Sequence, residues 1–372
     1  MSYCLNPRCP KPQNPNDVKF CLTCGAKLLL KERYRAIKPI GQGGFGRTFL
    51  AVDEDKPSKP RCVIKQFYPQ AQGTNTVQKA VELFNQEAVQ LDELGKHPQI
   101  PELLAYFTQD DRQYLVQEFI NGQNLAQELA QQGAFNEMQI WQLLHDLLPV
   151  LQFCHARQVI HRDIKPENII LREQDRKLVL VDFGAAKSAA GTALNRTGTS
   201  IGSPEYVAPE QIRGRALFAS DIYSLGATCI NLLTGRSPFD SYDTNNDTWV
   251  WQQYLKIPAS NHLSSIINKM VESIPARRYQ TVDELLQELN QQPPKVNTPT
   301  KSATTLPPPI VSKTPSQIDL ELEELKTQFM GGKPQPNKAQ PANPNPQPAS
   351  KSEIDKELEE LKAKYLGNNQ NQ

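Results

Sequence analysis

Apolar and polar positions follow two rhythms between about Tyr34 and Asn290. Thr48-Phe-Leu-Ala-Val52, Cys62-Val-Ile-Lys65 and Tyr114-Leu-Val-Gln-Glu118-Phe-Ile120 are compact apolar and β-branched runs, which predict strands. The last of these is expected to end at Asn121-Gly122. Val77, Val81, Phe84, Ala88 and Leu91 recur at helical spacing and predict an amphipathic helix.

Beyond Asn290 the rhythm stops. The chain becomes rich in Pro, Asn, Gln and Lys, a composition that buries too little apolar surface to offset its ordering entropy. Disordered linkers are expected over 291–315 and 332–351. Between them lies a duplication: Ser316-Gln-Ile-Asp-Leu-Glu-Leu-Glu-Glu-Leu-Lys-Thr-Gln-Phe-Met-Gly331 reappears as Ser352-Glu-Ile-Asp-Lys-Glu-Leu-Glu-Glu-Leu-Lys-Ala-Lys-Tyr-Leu-Gly367. Ile318, Leu322, Leu325 and Phe329 share one helical face, as do Ile354, Leu358, Leu361 and Tyr365. Two short amphipathic helices, 316–331 and 352–367, follow from this pattern. Helices of that length are marginal alone in water. They are expected to dock on a partner, or to pack on each other or on the body of the protein.

The net charge of +1 gives no reason to expect nucleic-acid or membrane attraction. No signal-peptide pattern or bilayer-length apolar run is present, so the expectation is a soluble, cytoplasmic protein. Of 7 cysteines, Cys62, Cys154 and Cys229 sit among apolar residues and read as buried hydrophobes. Cys4, Cys9, Cys21 and Cys24 crowd residues 1–30 as a zinc-ribbon-like module: Cys21 and Cys24 have knuckle spacing, while Cys4 and Cys9 are wider apart but within range for structural zinc. The rival reading of that cluster is a redox switch of reversible disulfides.

Several polar groups stand at informative spacings. Gly41-Gln42-Gly43-Gly44-Phe45-Gly46 precedes a strand, which suits a flap over phosphates better than a dinucleotide fingerprint, since the latter needs a following helix. Lys65 ends the next strand, and Glu87 on the predicted helix is its candidate ion-pair partner, the alternative being a solvated helix charge. His161-Arg-Asp-Ile-Lys-Pro-Glu-Asn168 and Asp182-Phe-Gly184 follow. Together with Ala208-Pro-Glu210, Asp221 and Arg278, these motifs resemble the eukaryotic-type serine/threonine protein kinases, over about 255 residues and in family order. The cysteine cluster ahead of Gly-Gln-Gly-Gly-Phe-Gly-Arg-Thr-Phe-Leu-Ala-Val is similar to kinases of cyanobacteria.

The resemblance implies an α+β, two-lobed protein kinase fold over 34–290, with a β-rich N-lobe and a helical C-lobe. It implies ATP and Mg²⁺ as cofactors and protein Ser/Thr hydroxyls as acceptors. Gly41 to Gly46, Lys65 and the backbone of Glu118 and Ile120 would bind ATP. Asp163 would accept or orient the hydroxyl proton, Lys165 would neutralise the transferring group, and Asn168 and Asp182 would hold Mg²⁺. Arg162 would receive a phosphate from the segment before Ala208, with Thr199 the first regulatory candidate and Thr197 the second. Ser203 would shape the substrate pocket. Asp221 would brace the catalytic loop, and Glu210 would pair with Arg278. Trp249 and Trp251 read as packing between late helices. Thr48, Val63 and Gln117 depart from the family pattern where the adenine would lie. A pseudokinase scaffold and a redox- or zinc-sensing adaptor are the competing functions.

Overall fold

The computed structural model describes residues 1–42, 46–68, 74–185, 187–188 and 203–291. The chain divides into Met1–Val296 and Asn297–Gln372. The second unit, with both repeats, falls outside the described residues, as do Thr197 and Thr199.

Three short strands open the chain: β1 (Ser2–Tyr3), β2 (Gln13–Asn14) and β3 (Leu29–Leu30). Next come β4 (Tyr34–Gln42), β5 (Gly46–Asp53), β6 (Arg61–Phe67), helix α1 (Thr74–Leu94), β7 (Leu103–Gln109) and β8 (Arg112–Glu118). One antiparallel sheet runs in the order β3-β4-β5-β6-β8-β7. Alternation along β8 gives the sheet two different faces. Tyr114 and Val116 join Tyr34, Phe49 and Ile64 on one side, whereas Leu115 joins Phe84, Ala88 and Leu91 of α1 on the other.

Strand β8 stops at Glu118, short of the predicted Ile120. Its partner β6 begins at Arg61, with Cys62 opposite Glu118, so the ladder has no further rungs and the backbone leaves the sheet. Those freed residues lead into β9 (Gly122–Asn124), α2 (Leu125–Gln132) and α3 (Glu137–Ala156). Asn124 and Asn136 start the two helices with reciprocal caps to Gln127 and Gln139.

The rest of the described chain is mainly helical. It comprises β10 (Val159–Ile160), β11 (Ile169–Arg172), β12 (Leu178–Leu180), β13 (Lys187–Ser188), α4 (Pro209–Ile212), α5 (Phe218–Thr234), β14 (Tyr242–Asp243), β15 (Thr248–Trp249), α6 (Asn261–Met270) and α7 (Val282–Asn290). Helix α5 is buried on every side: its apolar residues pack, and its polar Ser220, Asp221, Ser224 and Thr228 find hydrogen-bond partners inside the protein. Gly226 lets α6 approach it: a Cβ there would lie 2.7 Å from Val271 Cγ1 and 2.9 Å from Met270 Cβ. Trp251 is fully buried, and its indole N–H donates to Asn268. Trp249 donates to the Val271 carbonyl, so both tryptophans pack as expected. Cys62, Cys154 and Cys229 are each 0% exposed, in line with their apolar surroundings in the sequence.

The cysteine-bearing segment packs on the sheet face that carries Tyr34 and Phe49. Leu5 joins that cluster, and Tyr3 packs its ring 5.6 Å from that of Phe49. The Leu5 carbonyl accepts from Arg47 Nη2 and Gln66 Nε2, each at 2.9 Å. Arg35 donates to Ser2 Oγ and the Val18 carbonyl.

Candidate active site

The inner face of β6 carries Lys65 toward α1. Its ammonium pairs with Glu87 and lies 2.9 Å from Asp182 Oδ1. One cation thus serves two carboxylates, and they respond differently. Lys65 beside it holds the Asp182 carboxyl down at about 2. Burial pushes the Glu87 carboxyl up, with Lys65 opposing. Burial pulls Lys65 toward neutrality, but the two carboxylates outweigh it and keep the ammonium charged. The solvated-charge reading of Glu87 is set aside, because Glu87 is 4% exposed.

Two residues of the site hold left-handed backbone: Arg162 at φ 71° and Asp182 at φ 66°. Such conformations persist only when neighbours enforce them. Buried Asp221 does so for the first, accepting the backbone N–H groups of His161 at 2.9 Å and Arg162 at 2.8 Å. His155 Nε2 lies 2.9 Å from the same carboxylate. For the second, Val181 N–H donates to the Asn168 carbonyl, and the His161 ring packs edge-on against Phe183. His155 has no place in the sequence reading, and His161 stands there only as the first residue of its motif, with no role assigned. Their roles emerge only from contacts across 60 residues of chain or more for Asp221.

Asp163 is surrounded by donors. Ser203 N–H reaches Oδ1 at 2.9 Å and Ser203 Oγ reaches it at 3.1 Å. Asn168 Nδ2 donates to Oδ2 at 2.9 Å, and Lys165 Nζ lies 2.9 Å from Oδ2. Lys165 also donates to Ser203 Oγ at 2.6 Å. With its amide nitrogen engaged by Asp163, Asn168 keeps its oxygen for another partner.

Gly41 and Gln42 end β4, and Gly46 begins β5, while Gly43, Gly44 and Phe45 fall outside the described residues. Gly46 has a steric reason: a Cβ would lie 2.2 Å from the Gln66 carbonyl oxygen. Beyond Glu118, Ile120 is 5% exposed, and among the described residues its backbone N–H and carbonyl make no backbone hydrogen bond. Unpaired backbone groups beside a cleft are what a heterocycle edge can use.

Residues 34–294 match the protein kinase domain family. The chain belongs to that family. Its kinase domain carries the two-lobed α+β architecture expected from the motifs, and a domain of this family implies ATP and Mg²⁺. Among similar proteins, Serine/threonine-protein kinase B of Synechocystis sp. is 42% identical over 297 residues, covering 78% of this chain and 52% of that one. Serine/threonine-protein kinase PknA of Nostoc sp. is 42% identical over 268 residues, 70% of this chain and 47% of that one. Serine/threonine-protein kinase F of Synechocystis sp. is 37% identical over 375 residues, 88% of this chain and 75% of that one. The chain spans about half the length of the first two.

Away from the kinase cleft, the Sγ atoms of Cys4, Cys9, Cys21 and Cys24 all lie within 4.8 Å of one another. Neighbouring sulfurs come from different sequence pairs: Cys4 and Cys24 are 3.6 Å apart, as are Cys9 and Cys21. A disulfide requires about 2.05 Å. A tetrahedron of thiolates on zinc, with bonds of roughly 2.3 Å, has edges of about 3.8 Å. The four sulfurs therefore fit a zinc ion better than two disulfides. Burial opposes the Cys21 thiolate, but the backbone N–H groups of Cys24 and Thr23, together with the side chains of Asn14 and Cys9, outweigh it and bring that thiol down to about 6. No helix among the described residues is long and apolar enough to cross a membrane.

Proposed function

We propose that this protein is a serine/threonine protein kinase acting in signalling, which moves the γ-phosphate of ATP to protein hydroxyls. One observation carries the reading: Lys165 Nζ and the Asp163 carboxylate converge on a single hydroxyl oxygen, that of Ser203, at 2.6 and 3.1 Å. A cation and a carboxylate that hold one serine hydroxyl can hold another in an acceptor peptide. Asp163 then orients that hydroxyl and takes its proton, and Lys165 neutralises the transferring group. Lys65, kept charged between Asp182 and Glu87, neutralises phosphate oxygens. Asn168 and Asp182 present the oxygens suited to Mg²⁺. Bound Mg-ATP supplies the phosphoryl group and the cations that offset its charge. Thr199, or Thr197, is the proposed phosphosite that switches the enzyme on through Arg162.

Incubation of the purified chain with labelled Mg-ATP and a basic protein, followed by phosphoamino-acid analysis, tests this. Label in phosphoserine and phosphothreonine is expected. Nucleotide binding without transfer would establish the pseudokinase instead. Lys65→Ala is expected to lower turnover by about 10²–10³-fold, the usual cost of removing one preorganised charge donor. Steady-state kinetics in both ATP and acceptor check it.

The cysteine segment is proposed to be a zinc module. Four thiolates would hold the ion, and its binding would contribute on the order of 10–16 kcal/mol to a segment with almost no core. The Cys4-Leu5 stretch would then be fixed against Arg47 and Gln66, one residue from Gly46 and from Lys65 respectively. Metal analysis is expected to find zinc in the reduced protein. A zinc-selective chelator is expected to lower its melting temperature, while an unchanged melting curve with no bound zinc contradicts the site. The C-terminal repeats are proposed as docking helices for a protein partner in the cytoplasm, with no nucleic-acid role.

A further inference from the structure

We propose that the side-chain amide of Gln117 reads the exocyclic amino group of adenine and so sets the base specificity of the nucleotide cleft. The inference rests on the kinase reading and adds a residue to it.

Gln117 is 6% exposed, and among the described residues its Oε1 is buried with no hydrogen-bond partner. Among the described residues the buried Oε1 atoms of Gln90 and Gln113 also lack a partner, so Gln117 is set apart by its place in the sheet and by an amide nitrogen that, unlike those of its neighbours, makes no hydrogen bond either. Gln66 donates to the Leu5 carbonyl and the Tyr114 hydroxyl, Gln99 to the carbonyls of Asp146 and Leu178, and Gln113 to Asn85 and Tyr106. An orphaned buried carbonyl oxygen is rare in native structures and destabilises the fold unless something donates to it.

Register locates the orphan. Gln117 lies opposite Val63 of β6, while Lys65 lies opposite Leu115. Residues two apart on a strand share a face, so Gln117 stands on the same face as Lys65, one step closer to the end of β8. Its chain neighbours Glu118 and Ile120 lead out of the sheet, and Ile120 has the unpaired backbone N–H and carbonyl described above. This acceptor, unlike the oxygens of Gln90 and Gln113, therefore sits between the group that meets phosphates and the backbone that meets a base edge.

The 6-amino group of adenine carries two N–H donors. A backbone carbonyl of the 118–120 segment can accept one, and Gln117 Oε1 accepts the other. A base without that amino group leaves the amide oxygen unpaired.

Titration calorimetry on the full chain tests this directly. The probes are ATP and purine riboside triphosphate, which lacks only the 6-amino group, and the proteins are wild type and Gln117→Met. Wild type is expected to prefer ATP, and Gln117→Met to reduce that preference by about 3- to 10-fold, the worth of one neutral hydrogen bond. The loss should fall on ATP and not on the analogue. Thermal denaturation without nucleotide gives a second readout: Gln117→Met is expected to melt higher than wild type, because it removes the orphan at similar volume. An unchanged ATP-to-analogue ratio overturns the inference while leaving the kinase reading intact. If wild type binds neither nucleotide, the kinase reading fails and this inference fails with it.

Discussion

Asp182→Ala is expected to reduce phosphoryl transfer by about 10³-fold or more while leaving the protein folded. The size of the effect follows from the number of tasks meeting at one carboxylate. Asp182 lies 2.9 Å from Lys65 Nζ, and it offers an oxygen to Mg²⁺ in the proposed mechanism. Phosphoryl transfer depends on positioning and charge far more than on covalent help, so loss of a metal ligand removes both contributions together. Stability should change little, because the Asp182 side chain is 49% exposed and its ion pair is screened by solvent. The pH dependence follows from its pKa. Lys65 depresses the Asp182 carboxyl from its ordinary value to about 2, so its charge is present above pH 4 and is lost only as pH falls toward 2. An acid limb in the rate profile above pH 4 therefore belongs to another group. Initial rates and melting curves of Asp182→Ala and Asp182→Asn, measured side by side, check both statements.

The second large effect concerns stability. Arg278→Ala is expected to cost about 3–5 kcal/mol, read by urea denaturation. Arg278 is 3% exposed and meets Glu210 through two parallel bonds of 2.7 and 2.9 Å. Its other N–H groups donate to the carbonyls of Glu272, Ala219 and Ser273. Burial alone would raise the Glu210 carboxyl, but Arg278 and the Ser220 hydroxyl reverse this and hold it below its ordinary value. Removing the guanidinium strands a buried carboxylate. The variant should then regain part of its stability as pH falls and Glu210 takes up a proton, a trend opposite in sign to that of wild type near the same residue. A variant as stable as wild type, with no such recovery, would show that the pair contributes little.

The proposed catalytic constellation stands out in the sequence because the chemistry assigned to it restricts residue type at fixed spacing. In the proposed mechanism Asp163, Lys165, Asn168 and Asp182 cannot be exchanged without losing a charge or an oxygen ligand. Glu87 was legible through its neighbours: Phe84, Ala88 and Leu91 define the buried face of α1, and Glu87 lies beside it. Other features leave no pattern. Arg47 and Gln66 lie one residue outside the predicted strands and have no assigned role in the sequence, yet both meet the Leu5 carbonyl. A backbone acceptor distant in the chain imposes nothing on side-chain identity near it. The end of β8 at Glu118 depends on where its partner β6 begins, which no local run of residues encodes. The cysteine pairs Cys4 with Cys24 and Cys9 with Cys21 are likewise products of the fold, although the crowding of four thiols was plain.

The central claim is that Asp163 and Lys165 place a protein hydroxyl for phosphorylation. Phosphate incorporated into a protein substrate by wild type and by Asp163→Asn, at equal protein and Mg-ATP concentrations, tests it most directly. Incorporation by wild type, reduced by about 10²–10⁴-fold in the variant while both proteins bind ATP equally, is the predicted result. Equal incorporation by the two proteins would contradict the account.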